Sequence, residues 1–362
     1  GENRLQIPWI VMSQNYLDNE TWKFFWHPVC TMKELDESDV GRGALLPTML
    51  LGIEIVIAKL ESGVIAMNNR CPHRSSKLHL GWNTGKSVKC AYHGWEYGTD
   101  GQCISIPAAP DGPIPKRACA TTYDCEVKYG LVWVRIDGSA DTQIPEHLAY
   151  DNPEFRSVLG PSYNWKTHSA RRIENYTDLA HFPFIHPNTL GSAGHVTFLT
   201  PKINFRKEGK LRYRYDAPKG GRKAMDGAGN LSPLAFTDYT IHMPFGVTLD
   251  LQLENGSRTV MWIWATPLDD LHCRSFWFCC RNTGHDKPDQ PHIDMQLKIL
   301  EEDIAIVESQ DPEQIPHPRD EIAVPPDKVS LTYRRCLYDM CRAKAKGPEA
   351  LNEYMNTDQD DI

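Results

Sequence analysis

The sequence predicts an α+β protein in two parts: an all-β domain over residues 1–140, then an antiparallel-sheet domain with a long C-terminal helix over 141–362. Three observations carry this. A length of 362 residues exceeds one ordinary domain. Short β-rich runs punctuated by Gly and Pro, without a long helical period, fill roughly 25–140. Beyond 140, alternating strands are followed near the end by apolar residues at helical spacing.

In chain order, "IEIVIAKLESGVIAM" at 53–67 contains two β-rich runs separated by Glu61, Ser62 and Gly63, a hairpin pattern. "YGLVWVRID" at 129–137 predicts another strand. A polar, Pro-containing connection after 140 leads to "RRIENYTDLAHFPFIHP" and then to the strands "GVTLDLQLENG", "RTVMWIWATP" and "RSFWFCCRN". The Gly-rich, charged segment "DAPKGGRKAMDGAGN" at 216–230 is expected to be a surface loop. Over 292–310, Ile293, Leu297, Leu300, Ile304 and Val307 recur at steps of four and three, which specifies one buried helix face.

Composition narrows the functional classes. Apolar residues make up 41% and charged residues 24%, values of an ordinary globular protein, and a net charge of -8 argues against a nucleic-acid surface. No run approaches the ~20 apolar residues of a membrane span, and a basic-then-apolar signal pattern is not evident, so a cytoplasmic location is expected. Eleven cysteines spread over so long a chain favour reduced thiols and metal ligands over disulfides. Nine of them show no metal-site spacing and are expected to be buried thiols.

The other two lie in "CPHRSSKLHLGWNTGKSVKCAYHGW". Cys71 and His73 sit in one short segment, Cys90 and His93 in another. A zinc finger groups cysteine with cysteine and histidine with histidine, whereas here each loop offers one thiolate and one imidazole. In a Rieske [2Fe–2S] cluster one iron takes two cysteines and the other two histidines, so each of two loops must hand one ligand to each iron. Trp95 and Tyr97 are candidates for shielding such a cluster, and simple packing accounts for them equally well.

A second site is suggested by "ENYTDLAHFPFIHP". On a straight helix His181 and His186 would lie about 140° apart, so Pro183 and Pro187 are expected to bend the segment and turn both imidazoles inward. Two histidines and one carboxylate form the facial triad of a mononuclear non-haem Fe(II) site. Asp178 and Asp303 compete for the third place. Asp303 is flanked at helical spacing by Ile299, Leu300, Ile306 and Val307, and an acid on that stripe needs a cation, so it is the expected ligand; an Arg-paired structural acid is the alternative. Glu301 and Glu302 have Lys298 in reach and are expected to be more solvated. Asp178 then orients an imidazole and can link two metal centres, and Asn175 is a candidate for lining the same site. The remaining ten histidines, His27, His168, His195 and His242 among them, show no ligand spacing.

Together "CPHR…CAYHGW", "ENYTDLAHFPFIH" and "EEDIAIVESQ" resemble the oxygenase component of Rieske non-haem iron oxygenases over nearly the whole chain. "FWHPVC" and "HFPFIHPNTLG" make it most similar to the α-only branch of methylxanthine N-demethylases, vanillate O-demethylase and the saxitoxin-pathway hydroxylases. The resemblance implies a helix-grip (START-like) catalytic domain, a Rieske cluster on Cys71, His73, Cys90 and His93, and Fe(II) on His181, His186 and Asp303. It also implies a homotrimer, or a hetero-oligomer with a related subunit, in which the cluster of one subunit serves the iron of the next through Asp178. The short spacing from Asn175 to Asp178 favours the monooxygenase side.

A monooxygenase that hydroxylates, or oxidatively N- or O-demethylates, a small aromatic, heterocyclic or alkaloid substrate is therefore expected. Its electrons should come from a separate NAD(P)H-dependent flavin/ferredoxin reductase, since the chain has neither a plant-type ferredoxin cysteine run nor a GxGxxG fingerprint. Lys116, Arg117 and Lys128 are candidates for a docking patch. Candidates for the substrate pocket are Phe182, Leu190, Leu249, Leu251, Trp264 and Phe276, although strand alternation alone does not say which face meets a cavity. Rival readings are a Rieske electron carrier fused to a START-like ligand-binding module, and a zinc-stabilised binding protein.

Overall fold

The computed structural model describes residues 16–190, 197, 199–218 and 222–362. The expected hairpin forms from strands Ile53–Leu60 and Gly63–Asn68, closing with Leu60 opposite Gly63. It belongs to a six-stranded antiparallel sheet, ordered His27–Thr31, Leu131–Arg135, Thr122–Lys128, Gly63–Asn68, Ile53–Leu60, Leu45–Leu50. Both faces of the strand are covered between Ile55 and Ala58, which accounts for the unbroken apolar run there. Ile55 and Ile57 point into one cluster with Val29, Leu35 and Val132, while Val56 and Ala58 point into another with Met67, Leu78 and Val88. That second cluster also contains Cys71, Cys90 and Tyr97. A four-stranded sheet of short strands (Trp82–Asn83, Val88–Lys89, Glu96–Tyr97, Cys103–Ser105) completes the support. A short helix, α1 (Met32–Glu37), follows the first strand and is held by a capping box between Thr31 and Glu34.

The second sheet is antiparallel and nine-stranded among the described residues. Its order is Arg156–Leu159, Cys273–Arg281, Arg258–Pro267, Gly246–Leu253, Leu231–His242, Lys210–Asp216, Asn204–Arg206, with Tyr163–Trp165 and Lys223–Met225 attached at the side. The expected 216–230 loop is thus in part a strand, 223–225, paired with 231–233. The two sheets meet through tryptophans: Trp133 lies 5.9 Å from Trp262 and 5.5 Å from Trp264.

Five further α-helices follow among the described residues: α2 (Ser169–Thr177), α3 (Phe182–Ile185), α4 (Gln290–Val307), α5 (Lys328–Ala345) and α6 (Pro348–Met355). The helix expected over 292–310 is α4, starting two residues earlier and ending three earlier. The sequence reading did not anticipate α5 and α6. Val329, Tyr333, Cys336, Leu337, Met340 and Cys341 nevertheless form one buried face of α5. No helix among the described residues is long and apolar enough to cross a membrane.

Candidate iron centres

The two cysteine–histidine loops share one backbone plan. Ser75 N donates to Cys71 O (2.9 Å) and Cys71 N to Ser76 O (2.8 Å); Gly94 N donates to Cys90 O (3.0 Å) and Cys90 N to Trp95 O (2.8 Å). Each loop reverses at a left-handed residue, Ser75 (φ 63°) or Gly94 (φ 72°). Both cysteines are buried, whereas His73 is half-buried and His93 exposed, so the imidazole edge faces outward. The His73 and His93 ring centroids are 4.6 Å apart.

The surroundings suit a thiolate-bound cluster. Tyr97 Oη donates to Cys71 Sγ and Ser76 Oγ to Cys90 Sγ, each at 3.1 Å. Burial pushes the Cys90 thiol up, but the hydrogen bonds from Ser76 and backbone N–H groups outweigh it and lower its pKa; at Cys71 burial prevails. Trp95 stacks on His73 at 4.2 Å, and the buried Nδ1 of His73 has no hydrogen-bond partner among the described residues. Two sulfurs held by donors and one orphaned imidazole nitrogen fit a two-sulfur, two-imidazole cluster.

At the second site α2 ends at Asp178, and the chain turns into α3, a single helical turn with His181 as its N-cap and His186 as its C-cap. Pro183 starts this turn rather than breaking it, because a proline in the first turn removes no helical hydrogen bond. The bend expected there comes from His186, whose backbone leaves the helix at φ -116°, ψ 43°.

His181 Nδ1 donates to Asp178 Oδ2 (3.0 Å), and His186 Nδ1 donates to Glu302 Oε2 (2.7 Å). A carboxylate only accepts, so these bonds put the protons on Nδ1 and leave both Nε2 lone pairs free. Those lone pairs face each other at 3.3 Å, and both face Asp303 Oδ1, at 3.4 Å from His181 and 3.0 Å from His186. Three acceptors converging in a buried place require a cation, and the group fits a ferrous ion. Burial works against a charge on His181, but Asp178 and Asp303 outweigh it and raise its pKa to about 9; in the metal-free site a proton on Nε2 facing Asp303 takes the place that a metal would occupy. Asp303 is buried, yet the two imidazoles and Arg172 hold its carboxyl well below the usual range.

Beside this group lies a cavity of about 120 Å³. Of the residues the sequence suggested for a pocket, Phe182, Leu190, Leu249 and Leu251 line it, together with Met261, Cys279 and Gln296. Trp264 and Phe276 do not. Strand parity is the reason: Thr259 and Met261 face the cavity, so Trp262 and Trp264 face the opposite side, and Phe276 is paired directly with Trp264. Trp264 Nε1 reaches His27 Nδ1 (3.3 Å) at the seam between the sheets.

Asn175 donates from Nδ2 to Asp303 Oδ1 (3.2 Å). Glu302, expected to be solvated, is a correction: it serves His186 and also accepts from Thr189 Oγ1 (2.7 Å). Cys119 and Cys125 are half-buried rather than buried, and His195 lies outside the described residues.

A two-loop cysteine–histidine site in the first domain and a His-His-Asp group in the second together define a Rieske-type non-haem iron oxygenase. Residues 25–123 match the Rieske [2Fe-2S] domain, and residues 165–343 match the vanillate O-demethylase oxygenase C-terminal domain. The chain is 37% identical over 348 residues to methylxanthine N3-demethylase NdmB of Pseudomonas putida, covering 94% of this chain and 96% of that protein. Identity to methylxanthine N1-demethylase NdmA of the same species is also 37%, over 92% of this chain and 93% of that protein. The solved structure of Pseudomonas putida CBB5 NdmA with caffeine superposes with a TM-score of 0.89 at 36% identity, covering 95% of this chain and 98% of the other. The chain belongs to the Rieske non-haem iron oxygenases, as an α-type subunit related to these demethylases, with a Rieske [2Fe–2S] domain and a His-His-Asp non-haem iron site.

Proposed function

We propose that this chain oxidatively removes N-methyl groups from a small planar heterocycle of the methylxanthine type. The observation that carries this is the polarity of the cavity. Its walls are largely apolar, yet Gln296 Nε2 is buried there without a hydrogen-bond partner among the described residues, and an unpaired amide donor is costly unless a ligand acceptor meets it. Gln296 lies seven residues before Asp303, two turns along the same face of α4, so a ring carbonyl accepting from it extends toward the triad.

The ligand roles follow: Cys71, His73, Cys90 and His93 for the cluster, and His181, His186 and Asp303 for iron. When bound, the iron ion and cluster supply oxygen activation and one-electron delivery. The net change is substrate N–CH3 plus O2, two electrons and two protons giving N–H, formaldehyde and water. Phe182, Leu190, Leu249, Leu251 and Met261 exclude water and hold the ring; Asp178 and Glu302 keep the imidazole protons on Nδ1. Asp178 also borders a polar cleft with Arg171, Gln310, Asp327 and Ser330, which suits contact with the cluster edge of another subunit.

In this reading the domains divide near residue 140, the second domain is a helix-grip fold, and the assembly is a homotrimer served by a separate NAD(P)H-dependent reductase. Residues 62–95 contain Arg70, Arg74, Lys77, Lys86 and Lys89 and no acid, which fits an acidic electron donor. Lys116 and Arg117 are exposed, whereas Lys128 is half-buried with its ammonium over the Tyr129 ring, so it fits a docking patch less well. A cytoplasmic location fits cysteines that are all free.

The test is turnover of N-methylated xanthines with a flavin/ferredoxin reductase, scoring formaldehyde against product. Gln296→Leu should raise KM about tenfold for substrates with the ring carbonyl and leave kcat nearly unchanged. Absence of formaldehyde with every N-methyl heterocycle tried would overturn the reading.

A further inference from the structure

Arg172 on α2 is fully buried, and no carboxylate forms a salt bridge with it among the described residues. Its Nε and Nη2 donate to Tyr163 Oη (3.0 and 2.8 Å), and its guanidinium lies 4.5 Å from the Trp165 ring centroid and 4.8 Å from that of Tyr176. A buried cation so placed is costly unless a negative charge compensates it. The remaining contact is Nη1 donating to Asn175 Oδ1 (2.5 Å). Because a guanidinium only donates, the Asn175 oxygen must face Arg172, and this directs the Asn175 amide N–H toward Asp303 Oδ1.

We infer that Arg172 is a positioning residue: acting through Asn175, it fixes the orientation of the Asp303 carboxylate as a metal ligand. Without Arg172 the Asn175 amide is free to rotate and present its carbonyl oxygen to Asp303, repelling the carboxylate from its ligand position.

The inference rests on iron at His181, His186 and Asp303, and the experiment separates the two. Ferrous affinity of cluster-loaded protein is measured by anaerobic competition with a chelator, and the nitric oxide adduct of the bound ferrous ion is examined by electron paramagnetic resonance. Cluster absorbance reports folding. If wild-type protein retains no mononuclear ferrous ion, the site reading itself fails, and the inference with it.

Arg172→Met should weaken ferrous affinity about tenfold or more and change the nitrosyl spectrum, with cluster content unchanged. Combining it with Asn175→Ala should cost no more than Asn175→Ala alone, because both break the same chain of contacts. Asn175→Asp gives Arg172 a direct counter-ion, so the fold is kept while Asp303 loses its donor. This variant tests the inference even where Arg172→Met does not fold, and it should lose ferrous affinity as strongly. Wild-type affinity and spectrum in Asn175→Asp, or losses that add in the double variant, would overturn the positioning role.

Discussion

Replacing Glu302 by glutamine isolates the charge that supports His186. The wild-type carboxylate accepts from His186 Nδ1 and Thr189 Oγ1, both at 2.7 Å, and its side chain is only 22% exposed. Glutamine keeps the volume and one acceptor oxygen but removes the negative charge. A hydrogen bond to a charged group contributes about 1.5–3 kcal/mol and a neutral one about 0.5–1.5 kcal/mol, so the difference is about 1–1.5 kcal/mol. That corresponds to roughly a tenfold loss of ferrous affinity, at the lower end of what removal of such a partner costs a metal site. Glu302→Ala leaves His186 Nδ1 buried and unpaired, and its loss should approach roughly a hundredfold. Anaerobic ferrous titration of cluster-loaded protein measures both, with cluster absorbance as the internal reference. Affinity within about twofold of wild type in Glu302→Ala would refute the reasoning, because it would mean that the orientation and basicity of His186 do not depend on this carboxylate.

Two other predictions concern the supporting structure. Tyr97→Phe removes the hydroxyl that donates to Cys71 Sγ at 3.1 Å, leaving the sulfur more electron-rich, so the cluster potential should fall by about 40 mV, the equivalent of about 1 kcal/mol for one electron; protein-film voltammetry reads it, and an unchanged potential contradicts it. Asp289 accepts from Arg156 Nε (2.8 Å) and from the buried Arg281 Nη1 (2.6 Å), and these two guanidinium groups lower its pKa to about 2. Its contribution is therefore present above the unfolded carboxyl range near pH 4 and lost as pH falls through about 2. After a discount for its partial exposure, Asp289→Asn should cost about 1–2 kcal/mol at pH 7. In urea titrations the gap between variant and wild type should narrow below pH 4; a gap independent of pH would count against the ion pair.

What was legible in the sequence is what chemistry writes locally. Cys71, His73, Cys90 and His93 announced a mixed-ligand cluster because each loop carries its own pair, and the backbone then needs only two similar turns to present them. Asp303 announced itself as a carboxylate on the apolar stripe of α4. Glu302 did not, although it is the adjacent residue. One step along a helix rotates a side chain by about 100°, which takes it off the stripe, and its partner His186 is 116 residues away. Lys298, one turn back, made solvent the natural expectation. Arg172 was overlooked for the same reason: beside Arg171, Glu174 and Asn175 it looks like part of a polar helix, and only tertiary packing against Tyr163, Trp165 and Tyr176 gives it a buried role. Trp264 and Phe276 failed differently. Their strands were located correctly, but both faces of the sheet are apolar, so hydrophobic alternation could not decide which face meets the cavity. The candidate ligands are thus visible in the spacing, whereas the groups that contact them come from distant segments and are fixed by how α2, α3 and α4 converge. Variants of Glu302 and Arg172 consequently test the convergence of these helices, and variants of the ligands test only the spacing.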